Sequence, residues 1–331
     1  MRMPLYNVFC ILHEETGVNM KEVEADIFFN FGDSNSDTGG LVAGLGGHLD
    51  PPNGQAYFKN PSGRSCDGRL IVDFLTDAMD LPFLNAYLDA VGAPTFKKGC
   101  NFAAAASKIL PATAASLSPF SFGIQVAQFL RFKDRVIQLQ AKLHQFFFSV
   151  EMKKISYYIF FFLNDIFVVL LSNLLERAKF GTDTSKLDEL GCVSTHNQAS
   201  KLLNLQLHAR TTKLKAQLSE ANITYVDIYT IKSNLTGNYS RYGFEQPLAA
   251  CCGYGGLPLN YDSRVACGQT KVIKGSTITA NACSDSTEYV NWDGIHYTEA
   301  ANQHVSSQIL TGKNSDPPFA DKMPFPLKLK F

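Results

Sequence analysis

The sequence predicts an α/β fold with a mostly parallel sheet, because short apolar strands alternate with longer amphipathic segments along the chain. Residues 27–31 form an apolar run that stops at the turn signal Gly32. Residues 223–229 are a second strand candidate, and apolar side chains recur at helical spacing over residues 129–146. With 331 residues, 45% of them hydrophobic, the chain can build one large core.

The other elements follow from periodicity and end signals. Predicted helices lie at 67–77 (with Leu70, Phe74 and Leu75 inward), at 129–146 (with its apolar stripe in the core), from a cap at Ser194 or Thr195 to about 219, and at 298–310. Residues 39–61, rich in Gly, Pro and Asn, predict a long loop beside the site. We expect an irregular leader over 1–25, one folded domain over 26–312 and a tail over 313–331.

Residues 155–175 are the strongest candidate for a membrane span. Asp165 lies near the middle, where a charge costs roughly 3 kcal/mol on insertion scales. We therefore predict a buried strand that runs into a helix, and no stable membrane span.

Charge and metal-site spacing exclude several functions. Thirty basic and thirty acidic residues give a net charge of zero, with no block of like charge, so nucleic acid is not an expected partner. No pair of the eight cysteines has CxxC spacing, so a zinc site has little support. No cofactor is expected.

Four cysteines and three sequons suggest an oxidising compartment. Cys251-Cys252, Cys267 and Cys283 lie in a Gly-rich region of the kind that disulfides staple in secreted proteins, although the pairing is open. Asn222, Asn234 and Asn238 begin N-glycosylation sequons. A well-formed export signal is missing, so either the start is incomplete or altered or the chain is not exported.

Both ends of the chain carry groups suited to acyl transfer. Gly32-Asp33-Ser34 follows the first apolar strand, at the sheet edge where ligands collect in α/β folds. The tripeptide alone is more often a plain turn. Near the C-terminus, Asp293 precedes His296 by three residues, so it can orient an imidazole that deprotonates Ser34. The Ser34 N–H and the Asn164 side chain are the candidate oxyanion donors.

From about residue 26 to its end, the chain resembles the plant GDSL esterase/lipases of the SGNH hydrolase superfamily. The resemblance is carried by Phe-Gly-Asp-Ser-Asn-Ser-Asp-Thr-Gly-Gly at 31–40, Gly-Cys-Asn-Phe-Ala at 99–103, Asn164-Asp165 and Val-Asn-Trp-Asp-Gly-Ile-His-Tyr-Thr-Glu at 290–299. It implies a flavodoxin-like, three-layer α/β/α sandwich with a five-stranded parallel sheet. It also implies secretion, frequent glycosylation and metal-free hydrolysis of carboxylic esters. Ser34, Asp293 and His296 would be the triad, and Asn164 an oxyanion donor.

The chain departs from this family at three places. Ala106 stands where the family has an oxyanion glycine. Alanine keeps the N–H group, but a positive φ at this position would cost it roughly 1–2 kcal/mol of strain. Phe162 replaces a glycine two residues before Asn164. A block with one core strand is absent between Leu175 and Leu190, which predicts a gap or a rearranged edge in the sheet and leaves Cys192 without its usual partner.

Three functional hypotheses remain open from the sequence. The first is an esterase that acts on acyl or acetyl esters of small molecules through an acyl-enzyme. The second is a catalytically impaired relative that binds a glycoside or an acyl ligand, favoured by Ala106, Phe162 and the missing block. The third is a protein anchored through residues 155–175.

Overall fold

The computed structural model describes residues 9–12, 25–91, 94–146, 155–162, 174–180, 183–218 and 221–318. Its strands are β1 (Phe9–Leu12), β2 (Ala25–Gly32), β3 (Gly99–Asn101), β4 (Ile155–Phe162), β5 (Ala221–Val226), β6 (Gln246–Ala250), β7 (Thr270–Ile273), β8 (Ser276–Thr279), β9 (Tyr289–Asn291) and β10 (Ser315–Asp316). Its helices are α1 (Gly40–Leu45), α2 (Ile71–Ala78), α3 (Phe122–Phe146), α4 (Leu174–Arg177), α5 (Ser194–Gln217), α6 (Ile228–Gly237) and α7 (Glu299–Leu310). This alternation confirms the α/β class.

The main sheet has the strand order β10-β5-β1-β4-β2-β3. β2 pairs in parallel with β3 and β4, whereas β1 pairs antiparallel with both β4 and β5, so β2, β3, β4 and β5 share one direction. Gly99 lets β3 approach β2 closely, because a Cβ there would lie 1.7 Å from the Phe28 carbonyl oxygen. β10 pairs antiparallel with β5. The two antiparallel strands are additions to the parallel sheet that the sequence predicts.

The segments expected to be a leader and a tail both enter this sheet. β1 lies between β4 and β5 and pairs with each of them, for example Cys10 with Ile159 and with Ile223. The missing core strand was expected to leave a gap in the sheet. Among the described strands, β1 fills the place between β4 and β5. A strand with two backbone neighbours satisfies its own N–H and C=O groups and theirs.

Two apolar clusters cover opposite faces of β2, because successive side chains of a strand alternate between its faces. Phe28 belongs to a cluster with buried residues of α2, α6 and α7, including Leu75, Leu235 and Val305. Phe29 and Phe31 belong to a second cluster with Cys100, Phe102 and the start of α3. The core thus fixes β2, and with it the turn that follows, from both sides.

Helix positions agree with the periodicity, but some details differ. The Leu70, Phe74 and Leu75 stripe lies on or beside α2, with Leu70 and Leu75 buried. Residue Val193, not Ser194 or Thr195, precedes α5, and no side chain caps that helix. The expected core stripe on α3 ends early, because Leu139 is 45% exposed.

The apolar stretch 155–175 begins as the predicted strand, β4, which lies between two other strands of the sheet. Residues 163–173 lie outside the described residues. No helix in the described ranges combines the length and the apolar character that crossing a membrane requires.

Candidate active site

Ser34 lies in the turn directly after β2 and is partly exposed. β4 pairs in parallel with β2 along its whole length, and the last pair in register is Gly32 with Phe162. The carboxyl ends of both strands therefore meet at one edge of the sheet. Asn164 follows β4 by two residues but lies outside the described residues, as does the side chain of Phe162.

Two buried asparagines hold the turn that carries Ser34. The Asn30 amide donates to the Asn101 Oδ1 at 2.8 Å and to the Ser36 carbonyl at 3.2 Å. The Asn101 amide donates to the same Ser36 carbonyl at 2.6 Å, and its Oδ1 accepts from the Ala103 N–H at 2.9 Å. The ends of β2 and β3 are thus joined to the turn by side chains that water does not reach.

Asp293 and His296 form the predicted pair in the loop between β9 and α7. The Asp293 Oδ2 lies 2.6 Å from the His296 Nδ1, and Oδ1 accepts from the Ile295 and His296 N–H groups at 2.9 and 2.8 Å. The tight turn needs Gly294, since a Cβ there would lie 2.2 Å from the Tyr261 ring. The spacing Asp-x-x-His therefore brings the two side chains into contact within one turn.

The pair shifts both pKa values in the direction of a charged couple. Burial by itself lowers the pKa of His296. The Asp293 carboxylate and its hydrogen bond outweigh this effect and raise the pKa above its ordinary value. Burial by itself raises the pKa of Asp293, but the His296 charge and the N–H donors bring the pKa below its ordinary value. An imidazole held in this way can accept a proton and keep it as imidazolium.

The turn that carries Ser34 lies near this pair. His296 Nε2 is buried and has no hydrogen-bond partner among the described residues, so Ser34 is not bonded to it. The charge of Asp33, the residue before Ser34, helps to raise the pKa of His296, so the two ends of the chain are neighbours. Nε2 is the nitrogen that a catalytic serine would use.

Ala106 adopts the positive φ on which its predicted strain depends. Its φ is +55°, in the left-handed region that L-residues rarely adopt. The residue lies in the turn that follows β3 and contains Ala105 and Ser107. The expected strain at this position therefore applies.

Three residues near the site were not singled out by sequence reasoning. Gln125 of α3 is fully buried and bonds both backbone groups of Gly32. Lys232 of α6 is also buried, its Nζ lies 4.6 Å from the centre of the Tyr297 ring, and burial lowers its pKa to about 8 against the opposing charge of Asp33. A polar residue on an apolar helix face is the only signal that the sequence offers for either.

Tyr261 is the third residue. Its ring covers Gly294, and burial, followed by the Asp293 charge, raises its pKa to about 12. It therefore stays a neutral phenol beside the Asp293–His296 pair at ordinary pH. Nothing in the loop-rich sequence around Tyr261 predicts that its ring lies beside this pair.

The cysteine-rich loop contains two disulfides. Cys251 is bonded to Cys283, and Cys252 to Cys267, which settles the pairing that the sequence left open. Cys192 is a buried free thiol, in line with the missing partner. In the part of the chain that the structure describes, no group of three or more His, Cys, Asp or Glu side chains is arranged to hold a metal ion.

Two of the three sequon asparagines are exposed. Asn234 and Asn238 are exposed at the end of α6, and the Asn238 amide donates to the Asn234 Oδ1 at 2.6 Å. Asn222 lies in β5 and pairs in register with Ile11, and its side chain is outside the described set.

Comparison with known proteins gives one consistent result. The profile of the GDSL-like lipases/acylhydrolases matches residues 28–309. The chain is 53% identical to the GDSL esterase/lipase At1g54790 of Arabidopsis thaliana over 92% of each chain, and 48% identical to At3g05180 of the same plant over 87% and 88%. It is 34% identical to the GDSL esterase/lipase ACHE of Zea mays over 88% and 87%. The first alignment runs over 377 positions, 46 more than the chain's 331 residues, so that relative has segments without a counterpart here.

Proposed function

Because the chain belongs to the GDSL-like lipase/acylhydrolase family and is therefore a hydrolase of ester bonds, we propose that it cleaves them with Ser34 as nucleophile. His296 is the general base, Asp293 orients it, and the N–H groups of Ser34 and Ala106 hold the oxyanion together with Asn164. The substrates are acyl or acetyl esters of small molecules. No cofactor takes part.

One observation carries this proposal. His296 Nδ1 is engaged by Asp293 at 2.6 Å while Nε2 is buried and has no partner in the described residues. A histidine with one nitrogen fixed by a carboxylate and the other without a partner, near the turn that follows a strand and carries a serine, supports a serine hydrolase. A buried polar atom without a partner is costly in a purely structural residue.

The proposed reaction has two stages, acylation of Ser34 and release of the acid. Ser34 Oγ attacks the ester carbonyl carbon while Nε2 takes the hydroxyl proton, and the carbonyl oxygen becomes an oxyanion. The imidazolium then gives its proton to the leaving alkoxide, which departs as the alcohol and leaves an acyl-Ser34. Water, deprotonated by Nε2, attacks the acyl group, and the second collapse returns the Ser34 hydroxyl and releases the acid.

Hydrolysis of p-nitrophenyl acetate tests the proposal. We expect Ser34→Ala to lower kcat by about 10⁴-fold or more. The matched control is Ser36→Ala, in the same turn, because only its backbone carbonyl takes part in the hydrogen bonds described above. If wild type and Ser34→Ala are equally inactive while both are folded, the protein does not use this nucleophile.

The binding-protein alternative has less support. Ala106 retains its N–H and holds a positive φ, and the Asp293–His296 pair is complete. Covalent labelling by a fluorophosphonate, which needs an activated serine, distinguishes the two hypotheses. Labelling that Ser34→Ala abolishes supports the hydrolase, and an unlabelled, folded wild type supports the binding protein.

The compartment and the layers of the fold are part of the same proposal. Two disulfides and two exposed sequon asparagines support a secreted glycoprotein. Helices on both faces of β2 support one domain built as a three-layer α/β/α sandwich. A mass shift on treatment with an endoglycosidase, lost in Asn234→Gln with Asn238→Gln, tests the glycosylation.

A further inference from the structure

Two buried side chains outside the proposed triad join the turn that carries Ser34 to the turn that carries Ala106. Asp37 lies three residues after Ser34, and Gln125 comes from α3. Their relative exposures are 3% and 0%. Each makes contacts on both turns, so each bridges the two places from which the oxyanion would be held.

Asp37 holds the residue before Ala106. Its Oδ2 accepts a hydrogen bond from the Ala105 N–H at 2.7 Å. The same carboxylate accepts from the first N–H groups of α1, with Oδ1 2.8 Å from the Gly39 nitrogen and 2.5 Å from the Gly40 nitrogen, and Oδ2 3.1 Å from the Leu41 nitrogen. One carboxylate thus starts the helix after Ser34 and fixes the neighbouring turn to it.

Gln125 holds the residue after Ala106. Its Nε2 donates to the Ser107 Oγ at 2.7 Å and to the Gly32 carbonyl at 2.8 Å. Its Oε1 accepts from the Gly32 N–H at 3.0 Å. The amide therefore pairs with the last residue of β2 as a neighbouring strand would, and it ties Ser107 to that residue.

The contacts bracket both functional positions. Gly32 and Asp37 flank Ser34, whereas Ala105 and Ser107 flank Ala106. Ala106 has a φ of +55°, a conformation that an alanine leaves readily unless its neighbours are fixed. An oxyanion donor must also be placed to within a fraction of an ångström, and a donor on a turn needs support from buried contacts.

We propose that Asp37 and Gln125 are positioning residues that fix the Ala106 N–H relative to Ser34. This inference rests on the proposed function, because it requires Ala106 to be an oxyanion donor. The two residues act through the backbone of the turn and do not touch the substrate. They favour the transition state by keeping the donor in place before the reaction begins.

The test compares kcat and KM for p-nitrophenyl acetate in Gln125→Met and Asp37→Asn. We expect kcat to fall by about 10- to 100-fold while KM changes by less than about twofold, because the donor acts mainly in the transition state. Asp188→Asn is the matched control, since Asp188 also accepts from two backbone N–H groups, those of Leu190 and Cys192, in a different turn.

A double-mutant comparison adds a result that a merely structural role would not give. Glycine adopts a positive φ readily, so the kcat loss from each variant should be at least about threefold smaller in an Ala106→Gly background. Equal losses in both backgrounds, or losses no larger than that of Asp188→Asn, would overturn the proposal.

Ser107→Ala is the milder variant to be used if the others fail to fold. It removes the hydroxyl that accepts from Gln125 and donates to the Phe120 carbonyl, and it leaves the bonds between Gln125 and Gly32. We therefore expect kcat to fall by about threefold without a change in KM. An unchanged kcat counts against the proposal. Ser34→Ala, measured alongside, separates failure of the proposed function from failure of this inference. If Ser34→Ala remains active, the proposed function itself fails. If Ser34→Ala is inactive and the positioning variants have normal kcat, only this inference fails.

Discussion

The turn that carries Ser34 and the loop that carries Asp293 and His296 are held in place by different kinds of contact. Around Ser34, buried side chains bond to the backbone: Asn30, Asn101, Asp37 and Gln125 all do so. No disulfide takes part there in the described residues, and the nearby Cys100 is a free thiol.

Around His296, polar contacts such as that from the Gly294 N–H to the Asn291 Oδ1 are joined by two covalent cross-links nearby. The Cys251–Cys283 and Cys252–Cys267 bonds fix a region with only short strands. The N–H groups of Cys251 and Cys252 donate to the carbonyls of Asn291 and Trp292, directly before Asp293. Trp292 packs against both disulfides and donates from its indole nitrogen to Asn53 at 3.0 Å.

The difference follows from where each segment lies. The Ser34 turn extends from β2, an interior strand of the main sheet with a neighbour on each side and a core on each face. The Asp293–His296 loop follows β9, whose partner is β6 in a separate two-stranded sheet. A region with little core of its own gains stability when cross-links restrict its unfolded state. We therefore expect the two regions to fail under different treatments.

The largest effect is expected from breaking the Asp293–His296 pair. In Asp293→Asn the carboxylate that raises the pKa of His296 is gone, so that pKa falls. Since the base must be neutral, activity is lost as pH falls through this pKa, and the acid limb of kcat/KM should move to lower pH. The maximal kcat should fall by about 10³- to 10⁴-fold.

A pH profile with the exposed Asp285→Asn as control checks this expectation. Asp285 caps a short turn away from His296, so its loss should leave the limb where it is. An acid limb that stays in place in Asp293→Asn would mean that another group sets it.

The next effect concerns the cross-links. Replacing Cys252 and Cys267 by serine opens a loop with a sequence separation of 15, which should lower the free energy of unfolding by about 3 kcal/mol. It should also lower kcat, because Trp292 and the following loop lose their support. Urea unfolding and turnover measure both, and Cys192→Ala, which keeps both disulfides, is the control. Unchanged stability would show that the disulfide has no role in holding the His296 side.

The polar side should respond to a different substitution. Asn101→Ala leaves the Ser36 carbonyl and the Ala103 N–H without these bonds, so the free energy of unfolding should fall by about 2–4 kcal/mol. Its effect should add to that of a reductant, because distant sites without shared contacts are independent. The exposed Asn60→Ala should change stability by less than about 0.5 kcal/mol. Strong non-additivity would contradict the separation of the two regions.

The smallest effect is expected at Ala106. Ala106→Gly relieves strain of roughly 1–2 kcal/mol but adds freedom to the unfolded chain, so the net change in stability should stay within about 1 kcal/mol. Ala105→Gly, one residue earlier and without a positive φ, gains no such relief and should be less stable by about 0.5–1 kcal/mol. Thermal unfolding of both variants checks the contrast. An Ala106→Gly protein destabilised as much as Ala105→Gly would show that Ala106 carries no strain.

Much of the fold was predictable because its signals are local. Hydrophobic periodicity and turn residues predict the strand before Gly32, the helix of residues 71–78 and the helix after Thr298. The Asp293–His296 pair was predictable for the same reason, since three residues of separation bring the two side chains together in one turn. The Gly32-Asp33-Ser34 turn after the first strand indicated Ser34 as their counterpart, and its role stays a proposal.

Long-range contacts were not predictable, because no periodicity encodes them. The pairing of four cysteines depends on which ones the folded loop brings together. Residues 9–12 read as part of a leader, and only the vacant position between β4 and β5 makes them a strand. Gln125 lies 93 residues from the Gly32 that it bonds, so its amide looks like any other in the sequence.

By itself, then, the sequence determined the α/β class, the family and the residues on which the proposal of a serine hydrolase rests. These depend on spacing within short segments. The tertiary structure alone decided which buried polar groups support those residues, how the cysteines pair and how β1 enters the sheet. The physical reason is that local backbone preferences act over a few residues, whereas burial and hydrogen-bond satisfaction depend on the whole packed chain.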